Sequence, residues 1–280
     1  MASPVTLLTD FGFEDSFAAV MKGVILSTNP NATIVDITHA IEPQNIRAGA
    51  FVLATAYSYF PKDSIHVAVV DPGVGSERRG IILRVPGAFF VAPDNGVLTY
   101  VIDQLSLSVT PPGPGTETSI VRLKRGIEAV SITDPRFWRH PVSPTFHGRD
   151  VFAPVAGGLS LGLSPYEFGE KTDILSVLPL ERPYTDTSGD VIGQVIHVDR
   201  FGNLITNIRS SNLPPGPAEV IIGSTSLGEV RRYYEESEGL CALLGSSGYL
   251  EIALRNGSAA RYLEAMEGDE VRVASTVQGS

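Results

Sequence analysis

The chain has 280 residues, of which 43% are hydrophobic and 19% charged, and its formal net charge at pH 7 is −10. These proportions are typical of a globular protein and exclude a disordered chain. The negative charge argues against a nucleic-acid partner, because phosphates require a basic protein surface. A chain of this length is long enough for one large domain or two smaller ones.

The cysteine and hydropathy patterns narrow the class of protein further. The chain has one cysteine, Cys241, which excludes a disulfide framework and a cysteine-rich zinc site. It lies in the apolar run 240–244, where we expect a buried structural thiol. No run approaches the roughly 18 apolar residues of a membrane-spanning helix, and the first residues lack the apolar core of a signal peptide. We therefore expect a cytoplasmic protein with no membrane partner.

The first part of the chain alternates between predicted strands and predicted helices, which are recognised by their apolar periodicity. In chain order they are a strand at 5–9, a helix between residues 16 and 29, a strand at 33–37, a helix at 46–59 and a strand at 65–70. This order predicts a parallel sheet with right-handed crossovers. The segments 80–85 and 88–91 predict a hairpin joined through Pro86 and Gly87.

A loop rich in proline and glycine is predicted at 110–115, a helix at 150–161 and a linker at 173–188. Beyond the linker the apolar period changes to two, which predicts strands at 191–198, 204–207, 220–222, 240–244, 250–254 and 270–274. The predicted fold class is therefore α/β. A mostly parallel α/β sandwich domain at 1–172 precedes a small antiparallel β-barrel domain at 189–280.

An acid and a guanidinium stand seven residues apart in the glycine-rich segment after the predicted strand at 65–70. Asp71 follows the end of this strand, because Pro72 cannot donate to a sheet ladder. Open α/β sheets form ligand crevices at the carboxyl ends of their strands, so Asp71 and Arg78 are candidates for a functional site. A surface ion pair at a strand end explains the same two residues equally well.

Asp10 repeats this arrangement, since it follows the predicted strand at 5–9 and precedes Gly12. A carboxylate in this place can accept hydrogen bonds from both hydroxyls of a ribose. The alternative is an N-terminal cap of the following helix. Because Asp10 and Asp71 both follow strands of one predicted sheet, they can face a single crevice.

His147 is the candidate for proton chemistry among the five histidines, because it lies in a loop between Phe146 and Gly148 with charged residues nearby. His66 and His197 lie inside predicted strands with apolar neighbours, and we interpret them as structural. A loop histidine without a special function remains the alternative for His147.

Two predicted turns of the second domain carry further candidates. Asp199, Phe201 and Asn203 belong to one turn, in which an aromatic ring and an amide suit stacking and hydrogen bonding to a base. Ser246 and Ser247 belong to a Gly-Ser-Ser-Gly turn, whose hydroxyls and free amides suit a carboxylate or phosphate. An ordinary β-turn and an ordinary hairpin turn are the alternatives.

The sequence does not support a dinucleotide site or a metal site. Gly73 and Gly75 begin like a dinucleotide fingerprint, but Gly80 comes too late. In addition, residues 81–85 predict a strand where the fingerprint needs a helix. No pair of histidine or cysteine residues has the spacing of metal ligands, so we expect no metal.

Six segments of the chain resemble one family and occur in the order that this family shows. They are Leu-Thr-Asp-Phe-Gly (8–12), Val-Asp-Pro-Gly-Val-Gly-x-x-Arg (70–78), Ala-Pro-Asp-Asn-Gly (92–96), Phe-His-Gly-Arg-Asp (146–150), Asp-x-Phe-Gly-Asn (199–203) and Gly-Ser-Ser-Gly-Tyr (245–249). The family is that of the S-adenosyl-L-methionine hydroxide adenosyltransferases, relatives of the fluorinating and chlorinating adenosyl-halide synthases. The resemblance implies an α/β domain, a β-barrel domain and a homotrimer with its site at the subunit interface. It also implies attack of water or hydroxide on the ribose C5′ of S-adenosyl-L-methionine, giving adenosine and L-methionine without a cofactor.

The resemblance also implies roles for individual residues. Asp71, Arg78 and His147 would be the catalytic residues that handle the water, and which of them accepts its proton stays open. Arg78 is preferred over its neighbour Arg79 because its offset from Asp71 matches the family pattern. The implied substrate contacts are Asp10 with the ribose hydroxyls, Phe146 with the sugar, Phe201 and Asn203 with adenine, Asp199 with the methionine ammonium, and Ser246 and Ser247 with its carboxylate.

Two other functions remain alternatives. The related halide synthases have no acid at the position of Asp71, a tyrosine at that of His147 and, at that of Gly148, a serine that helps to hold halide. The carboxylate of Asp71 would repel a halide ion. A non-catalytic sensor of an adenosyl ligand would share the pocket without turnover, although the combination of Asp71, Arg78 and His147 argues against it. The adenine contacts near Tyr234 and Asn256 stay open.

Overall fold

The chain divides into two units, the first ending at Pro179 and the second beginning at Leu180. The computed structural model describes residues 3–105, 109–110, 118–236 and 239–275. The junction between the units falls inside the segment predicted as a linker, 173–188, which also contains one short strand of each unit. Apart from Thr110, the predicted loop at 110–115 lies outside the described residues.

The first unit alternates strands and helices up to the strand that ends at Val69, as the periodicity predicts. Its described strands are β1 (Val5–Thr9), β2 (Ile34–Thr38), β3 (Ser64–Val69), β4 (Gly80–Val85), β5 (Ala88–Pro93), β6 (Val109–Thr110), β7 (Ser119–Arg122), β8 (Glu128–Ile132), β9 (Gly169–Thr172) and β10 (Ile174–Val177). Its helices are α1 (Phe17–Thr28), α2 (Ile46–Ala56), α3 (Thr99–Gln104), a π-helical segment (Gly148–Phe152) and, continuing from it, α4 (Ala153–Ser160). Single 3-10 turns lie at Tyr57–Tyr59, Pro135–Phe137 and Pro165–Glu167.

Seven strands of this unit form one mixed sheet in the order β2-β1-β3-β5-β4-β8-β9. The strands β2, β1, β3 and β5 run parallel, whereas β4, β8 and β9 add antiparallel pairs on the other side. The prediction of a mostly parallel sheet is therefore right for only one half of it. The predicted hairpin is the reason, because the short connection through Pro86 and Gly87 joins only antiparallel strands. A separate antiparallel sheet has the order β10-β7-β6.

Helices cover both faces of the parallel half of the sheet. Leu7 of β1 packs in one cluster with Met21 of α1 and residues of α4. Leu8 belongs to the opposite face, where Gly49 of α2 lies so close that an added Cβ would touch its side chain. Strand β1 is thus buried on both faces, which explains why its sequence is continuously apolar instead of alternating.

The parallel pairing places two of the candidate acids at one edge of the sheet. Thr9, the last residue of β1, pairs with Val69, the last residue of β3. Asp10 and Asp71 follow these strand ends within two residues. The carboxyl edge of neighbouring parallel strands is where a ligand crevice forms in α/β sheets.

The second unit is built around one antiparallel sheet. Its described strands are β11 (Tyr184–Thr185), β12 (Val191–Val198), β13 (Leu204–Arg209), β14 (Ala218–Ile222), β15 (Thr225–Glu229), β16 (Leu240–Leu244), β17 (Tyr249–Leu254) and β18 (Glu270–Ser275). It also contains the helix α5 (Ala259–Leu263) and 3-10 turns at Ser210–Asn212 and Tyr234–Glu236. The strand order is β15-β14-β18-β12-β13-β17-β16, and β11 pairs with β12.

The two edges of this sheet approach each other. The backbone N–H of Arg231, which follows β15, donates to the carbonyl oxygen of Ala242 in β16 at 2.7 Å. The sheet is therefore barrel-like and nearly closed, around a core that includes Val195, Val220 and Ile252. The predicted class, a small antiparallel β domain after an α/β domain, agrees with this architecture. In the described part of the chain, no helix combines the length and the apolar character needed to cross a bilayer.

Candidate functional site

The glycine-rich turn after β3 is shaped by two close backbone contacts. Asn95 Nδ2 donates to the carbonyl oxygen of Val70 at 2.9 Å, which ties the end of β3 to the segment after β5. Gly75 has φ +81°, and a Cβ at this position would lie 2.3 Å from the carbonyl oxygen of Pro144. Only glycine permits this approach. The turn that carries Asp71 is thereby pressed against the loop that carries His147.

Asp71, Arg78 and His147 form one continuous hydrogen-bonded network. Arg78 Nε donates to both carboxylate oxygens of Asp71 at 3.0 Å, and Arg78 Nη2 donates to Asp71 Oδ2 at 2.5 Å. The same Nη2 lies 2.8 Å from His147 Nδ1. The side chains of Asp71 and Arg78 are only 5% and 11% exposed, and the guanidinium also lies 5.3 Å from the ring centre of Phe152. The structure therefore brings together the three residues predicted to handle water.

The network determines the protonation of His147. A guanidinium has donors only, so His147 Nδ1 must accept the hydrogen bond from Arg78. Burial and then the positive charge of Arg78 lower the pKa of His147 below its ordinary range, while the carboxylates of Asp71 and Asp150 act in the opposite direction. The histidine is thus neutral near pH 7, with its proton on Nε2.

Arg79, the neighbour of Arg78, belongs to a different network. It donates through Nε to Asp94 Oδ2 at 3.0 Å, through Nη1 to Thr172 Oγ1 at 3.2 Å and through Nη2 to the carbonyl oxygen of Ile174 at 3.1 Å. Asp94 also accepts from the backbone N–H of Ser176 at 2.7 Å. This network joins the end of β5 to β9 and β10, away from Asp71.

A cavity of about 380 Å³ lies at the carboxyl edge of β1 and β3. Its lining consists of Asp10, Phe11, Phe17, Pro43, Gln44, Val69, Asp71, Pro72, Val74, Thr145, Phe146, His147 and Gly148. Four of the predicted site residues, Asp10, Asp71, Phe146 and His147, thus share one cavity. The volume is within the range of small-molecule sites, roughly 300–1,000 Å³.

Three phenylalanines form an aromatic wall of this cavity. The ring centres of Phe11 and Phe17 are each close to that of Phe146, at 5.7 Å and 5.2 Å, in edge-to-face arrangements. Phe11 and Phe17 also contact each other at 5.7 Å. Such a wall is suited to the apolar faces of a sugar or a base, with the polar groups of Asp10 and Asp71 beside it.

Asp10 is oriented by the backbone. Its Oδ2 accepts a hydrogen bond from the backbone N–H of Gln44 at 2.8 Å. Gln44 has φ +68°, an uncommon conformation for a residue other than glycine, so the position of this N–H is closely specified. The second oxygen, Oδ1, and the remaining lone pair of Oδ2 can accept from two hydroxyls of a ligand.

The loop that carries Phe146 and His147 is held by a buried acid. Asp150 accepts from the backbone N–H of Ser143 at 2.8 Å and from Arg149 at 2.7 and 2.8 Å. Although burial opposes the ionisation of Asp150, these hydrogen bonds lower the pKa of its carboxyl. The carboxylate thus closes the loop between residues 143 and 150 and fixes the start of the π-helical segment.

The other five predicted site residues lie in the second unit, on two turns. Asp199 Oδ1 accepts from the backbone N–H groups of Phe201 at 2.8 Å and Asn203 at 2.9 Å, and its Oδ2 accepts from Asn203 Nδ2 at 3.0 Å. The carboxylate therefore shapes its own turn, as the β-turn alternative requires. The ring of Phe201 is 77% exposed. Ser246 and Ser247 lie at the tip of the hairpin between β16 and β17.

A buried acid beside this hairpin was not singled out from the sequence. Glu251 of β17 accepts a hydrogen bond from Tyr234 Oη at 2.6 Å. Burial, and to a smaller degree the charge of Asp199, raise the pKa of Glu251. A Cβ on Gly245 would lie 2.5 Å from Glu251 Oε2, so the glycine that opens the hairpin leaves room for this carboxylate. The period of two places Glu251 on a strand, but gives no sign that its side chain is buried.

Several cavity residues were also missed in the sequence. Phe17 lies in the predicted helix between residues 16 and 29 with no sign of a role in a site, and Gln44 and Thr145 belong to no functional pattern. Asn95 belongs to a motif that was recognised, yet its contact with Val70 depends on a pairing of distant strands. Among the described residues, no group of three or more His, Cys, Asp or Glu side chains is placed to hold a metal ion.

Comparisons with known proteins agree with the motifs. The family model for the S-adenosyl-L-methionine hydroxide adenosyltransferase N-terminal domain matches residues 5–169, and that for the C-terminal domain matches residues 193–272. A Thermus thermophilus protein named (R)-S-adenosyl-L-methionine hydrolase is 36% identical over 275 residues, which cover 96% of this chain and 99% of that protein. A Methanocaldococcus jannaschii protein of the same name is 34% identical over 284 residues, covering 96% and 95%.

A more distant relative and a solved structure are also similar to this chain. A fluorinase of Nocardia brasiliensis is 25% identical over 235 residues, covering 75% of this chain and 72% of that enzyme. The crystal structure of an uncharacterised conserved protein from Thermotoga maritima superposes with a TM-score of 0.83 at 34% identity, covering 97% of this chain and all of that one. On the family models and on relatives that match nearly its whole length, the chain belongs to the S-adenosyl-L-methionine hydroxide adenosyltransferase family.

Proposed function

We propose that this protein hydrolyses S-adenosyl-L-methionine at the ribose C5′ and releases adenosine and L-methionine. Membership of the family and the names of the relatives support the substrate. The observation that carries the proposal is the network of Asp71, Arg78 and His147 in a cavity that also contains Asp10. This arrangement supplies a carboxylate for a water molecule and another for a sugar.

The reaction is an in-line displacement. A lone pair of the water oxygen forms the O–C5′ bond, while the C5′–S bond breaks and its electron pair neutralises the sulfonium, giving the thioether of methionine. Because the sulfonium is a good leaving group, it needs no proton from the protein. The task of the site is to hold the water in line with the C5′–S bond and to accept one proton from it.

We assign the proton acceptor to Asp71. His147 Nδ1 already accepts from Arg78, and its Nε2 carries the proton of the neutral ring, so His147 has no free lone pair. The carboxylate of Asp71 retains acceptor capacity beside its bonds to Arg78. Arg78 orients the carboxylate, and His147 Nε2–H donates to the water oxygen. The sequence alone leaves the choice of proton acceptor open.

The remaining contacts follow the resemblance. Asp10 would hold the ribose hydroxyls and Phe146 the face of the sugar. The proposed contacts to adenine and to the methionine part are Phe201, Asn203, Asp199, Ser246 and Ser247. In the family these contacts belong to a homotrimer with its site at the subunit interface, and we propose this assembly for the present chain. A cytoplasmic location and independence of metal also remain predictions.

The charges of the cavity favour hydrolysis over the two alternatives. Asp10 and Asp71 give it carboxylates that attract a sulfonium cation and repel a halide ion. A serine at Gly148, as the halide synthases have, would place its Cβ 3.1 Å from Met21 Sδ and 3.2 Å from Phe146 Cε2. The cavity is therefore not shaped for that residue without a shift of its neighbours. A sensor without turnover would not need the water-handling network.

A product assay with labelled water tests the proposal. In H₂¹⁸O, and separately with each sulfonium epimer of the substrate, the protein should form adenosine and L-methionine in equal amounts, with ¹⁸O at the 5′ position of adenosine. The protein should stay active in the presence of a chelator. It should not form 5′-chloro-5′-deoxyadenosine in concentrated chloride. The Asp71→Asn variant, with an unchanged melting curve, is the matched control. Binding of substrate without products would instead favour the sensor.

A further inference from the structure

A chain of polar side chains runs from the surface to the buried end of β1, the strand that precedes Asp10. Lys22 Nζ of α1 donates to Asp36 Oδ2 of β2 at 2.6 Å. On the other side of that carboxylate, Asp36 Oδ1 lies 3.1 Å from His39 Nε2. His39 Nδ1 in turn lies 2.8 Å from Thr9 Oγ1, at the end of β1. Both His39 and Thr9 are fully buried, whereas Lys22 and Asp36 reach the surface.

The contacts of His39 are consistent with a ring proton on Nε2 and an acceptor at Nδ1. The carboxylate of Asp36 favours a proton on His39 Nε2, which leaves Nδ1 to accept from the Thr9 hydroxyl. The hydroxyl oxygen of Thr9 also accepts from the backbone N–H of Phe11 at 3.2 Å. Thr9 thus donates in one direction and accepts in the other, as a hydroxyl can. Because Thr9 is buried, it has no access to a substrate and does not act as a nucleophile.

His39 holds the segment that carries Asp10 from two sides. Through Thr9 it anchors the N–H of Phe11, the residue after Asp10. Through its own carbonyl oxygen it accepts from the N–H of Gly12 at 2.8 Å. The ring of Phe13 packs edge-on against the imidazole, with ring centres 5.5 Å apart. The backbone on either side of Phe11 is therefore tied to one buried histidine.

We propose that His39 is a positioning residue for the sugar-binding end of the site, which acts through Thr9 on the carboxylate of Asp10. The proposal rests on the proposed function, in which Asp10 holds the ribose hydroxyls. It explains why a histidine is buried with an acid on one nitrogen and a hydroxyl on the other. A merely structural histidine would stabilise the fold without favouring a diol over its deoxygenated counterpart.

The test measures affinity for two nucleosides by calorimetry on the full chain. His39→Gln keeps a polar group toward Asp36 and removes the acceptor for Thr9. We expect it to weaken adenosine binding about tenfold and to leave 2′,3′-dideoxyadenosine binding within about twofold. His39→Asn, which keeps a polar atom near the place of Nδ1, should lose less. The KM for S-adenosyl-L-methionine should rise in parallel with adenosine affinity, while kcat changes little.

A double-mutant cycle with Asp10→Asn tests whether the effect passes through Asp10. If it does, His39→Gln adds nothing further to the loss of adenosine affinity in the Asp10→Asn background. Equal losses for both nucleosides, or losses that add in the double variant, would overturn the proposal and leave His39 a structural residue.

Thr9 variants keep the test valid if His39→Gln does not fold. Thr9→Val removes the hydroxyl at equal volume and should reproduce the diol-selective loss, whereas Thr9→Ser should restore affinity to within about threefold of wild type. No diol-selective loss in Thr9→Val would also overturn the proposal. If the wild-type protein neither bound adenosine nor turned over its substrate, the proposed function would fail, and this inference with it. If the wild-type protein turned over its substrate but the variants showed no diol-selective loss of affinity, only this inference would fail.

Discussion

Arg78 and Arg79 are neighbours in the sequence, and each binds an aspartate, yet they serve different parts of the first unit. Arg78 holds Asp71 and His147 at the wall of the cavity, and only 11% of its side chain is exposed. Arg79 is 37% exposed and joins Asp94 to β9 and β10. The two side chains, adjacent in the sequence just before β4, thus reach different elements.

The two ion pairs differ in the groups that surround them. Every acceptor of Arg79 lies in a strand or next to one, so this pair fastens secondary structure. Arg78 instead connects an acid with a titratable imidazole in a cavity. An arginine–aspartate pair is therefore not a sign of function by itself, whereas a pair that shares a cavity with a neutral histidine is a candidate.

The largest expected effect is on turnover by the pair that faces the cavity. Asp71→Asn keeps the shape of the side chain but removes the proposed proton acceptor, so kcat should fall on the order of 10²-fold or more. Asp94→Asn, the matched change in the other pair, should leave kcat per folded molecule within about twofold. Steady-state kinetics of both variants on S-adenosyl-L-methionine decide the matter. Similar losses of kcat in the two variants would show that the two ion pairs do not differ in their role in turnover.

The second effect is on the free energy of unfolding, which we expect to depend more on the pair of Asp94 and Arg79 than on the pair of Asp71 and Arg78. Asp94→Ala leaves the Ser176 N–H and part of the Arg79 guanidinium without an acceptor, so the free energy of unfolding should fall by about 1–3 kcal/mol. Asp71→Ala should cost less than half of that, because Asp71 lines the cavity and its truncation admits water to the otherwise buried guanidinium of Arg78. Chemical denaturation of both variants measures the difference. A larger loss for Asp71→Ala would mean that this pair is chiefly structural.

The elements whose pattern is local are the ones that the sequence predicts well. The strands β1 and β3, the hairpin of β4 and β5 and the strands β12 and β16 lie at or within two residues of their predicted positions. Strand β9 was not predicted, because its sequence Gly-Glu-Lys-Thr is polar and its two central residues are exposed, so it has no apolar period. The same is true of β15, in which only Leu227 is buried.

Contacts within the site are likewise harder to predict when the two residues are far apart in the sequence. The contact between Asp71 and Arg78 spans seven residues and follows from a glycine-rich turn. The contact between Arg78 and His147 spans 69 residues, so no local pattern predicts it. The loop position made His147 a candidate for proton chemistry, but only the family resemblance grouped it with Asp71 and Arg78. The contact of Asp10 with the N–H of Gln44 depends on a positive φ at Gln44, which the residue type does not reveal.

The third effect is on the pH dependence of kcat/KM, because of the two arginines only Arg78 has a histidine among its described hydrogen-bond partners. Burial and the charge of Arg78 hold the pKa of His147 below its ordinary value of 6.5. Above this lowered pKa the ring is neutral and accepts from Arg78, so kcat/KM should stay flat near pH 7 to 8. As pH falls through the lowered pKa, protonation removes that acceptor and places two positive charges together, so kcat/KM should decrease.

Variants of His147 and Asp94 show whether the acid limb belongs to this histidine. In His147→Gln the limb should disappear or move to the pH at which another group titrates, at a lower plateau. Asp94→Asn should retain the wild-type profile, because Arg79 has no histidine among its described hydrogen-bond partners. An unchanged acid limb in His147→Gln would assign it to a different group.

The smallest effect is expected from Arg79→Lys, which isolates the geometry of the guanidinium from its charge. Lysine keeps the positive charge near Asp94 but does not reproduce the fork that reaches Thr172 and the Ile174 carbonyl. Because this arginine is partly exposed, water can replace the lost contacts, and the free energy of unfolding should fall by only about 0.5–1 kcal/mol. The kcat should not change.

Arg78→Lys is the counterpart that makes this small effect informative. A lysine there can still attract Asp71 but cannot bind Asp71 through two nitrogens while donating to His147 Nδ1, so kcat should fall at least about tenfold with little loss of stability. Kinetics and denaturation measured side by side on the two lysine variants compare a single chemical change at adjacent positions. If Arg79→Lys reduced kcat as much as Arg78→Lys, the offset of seven residues from Asp71 would not identify the arginine that serves the reaction.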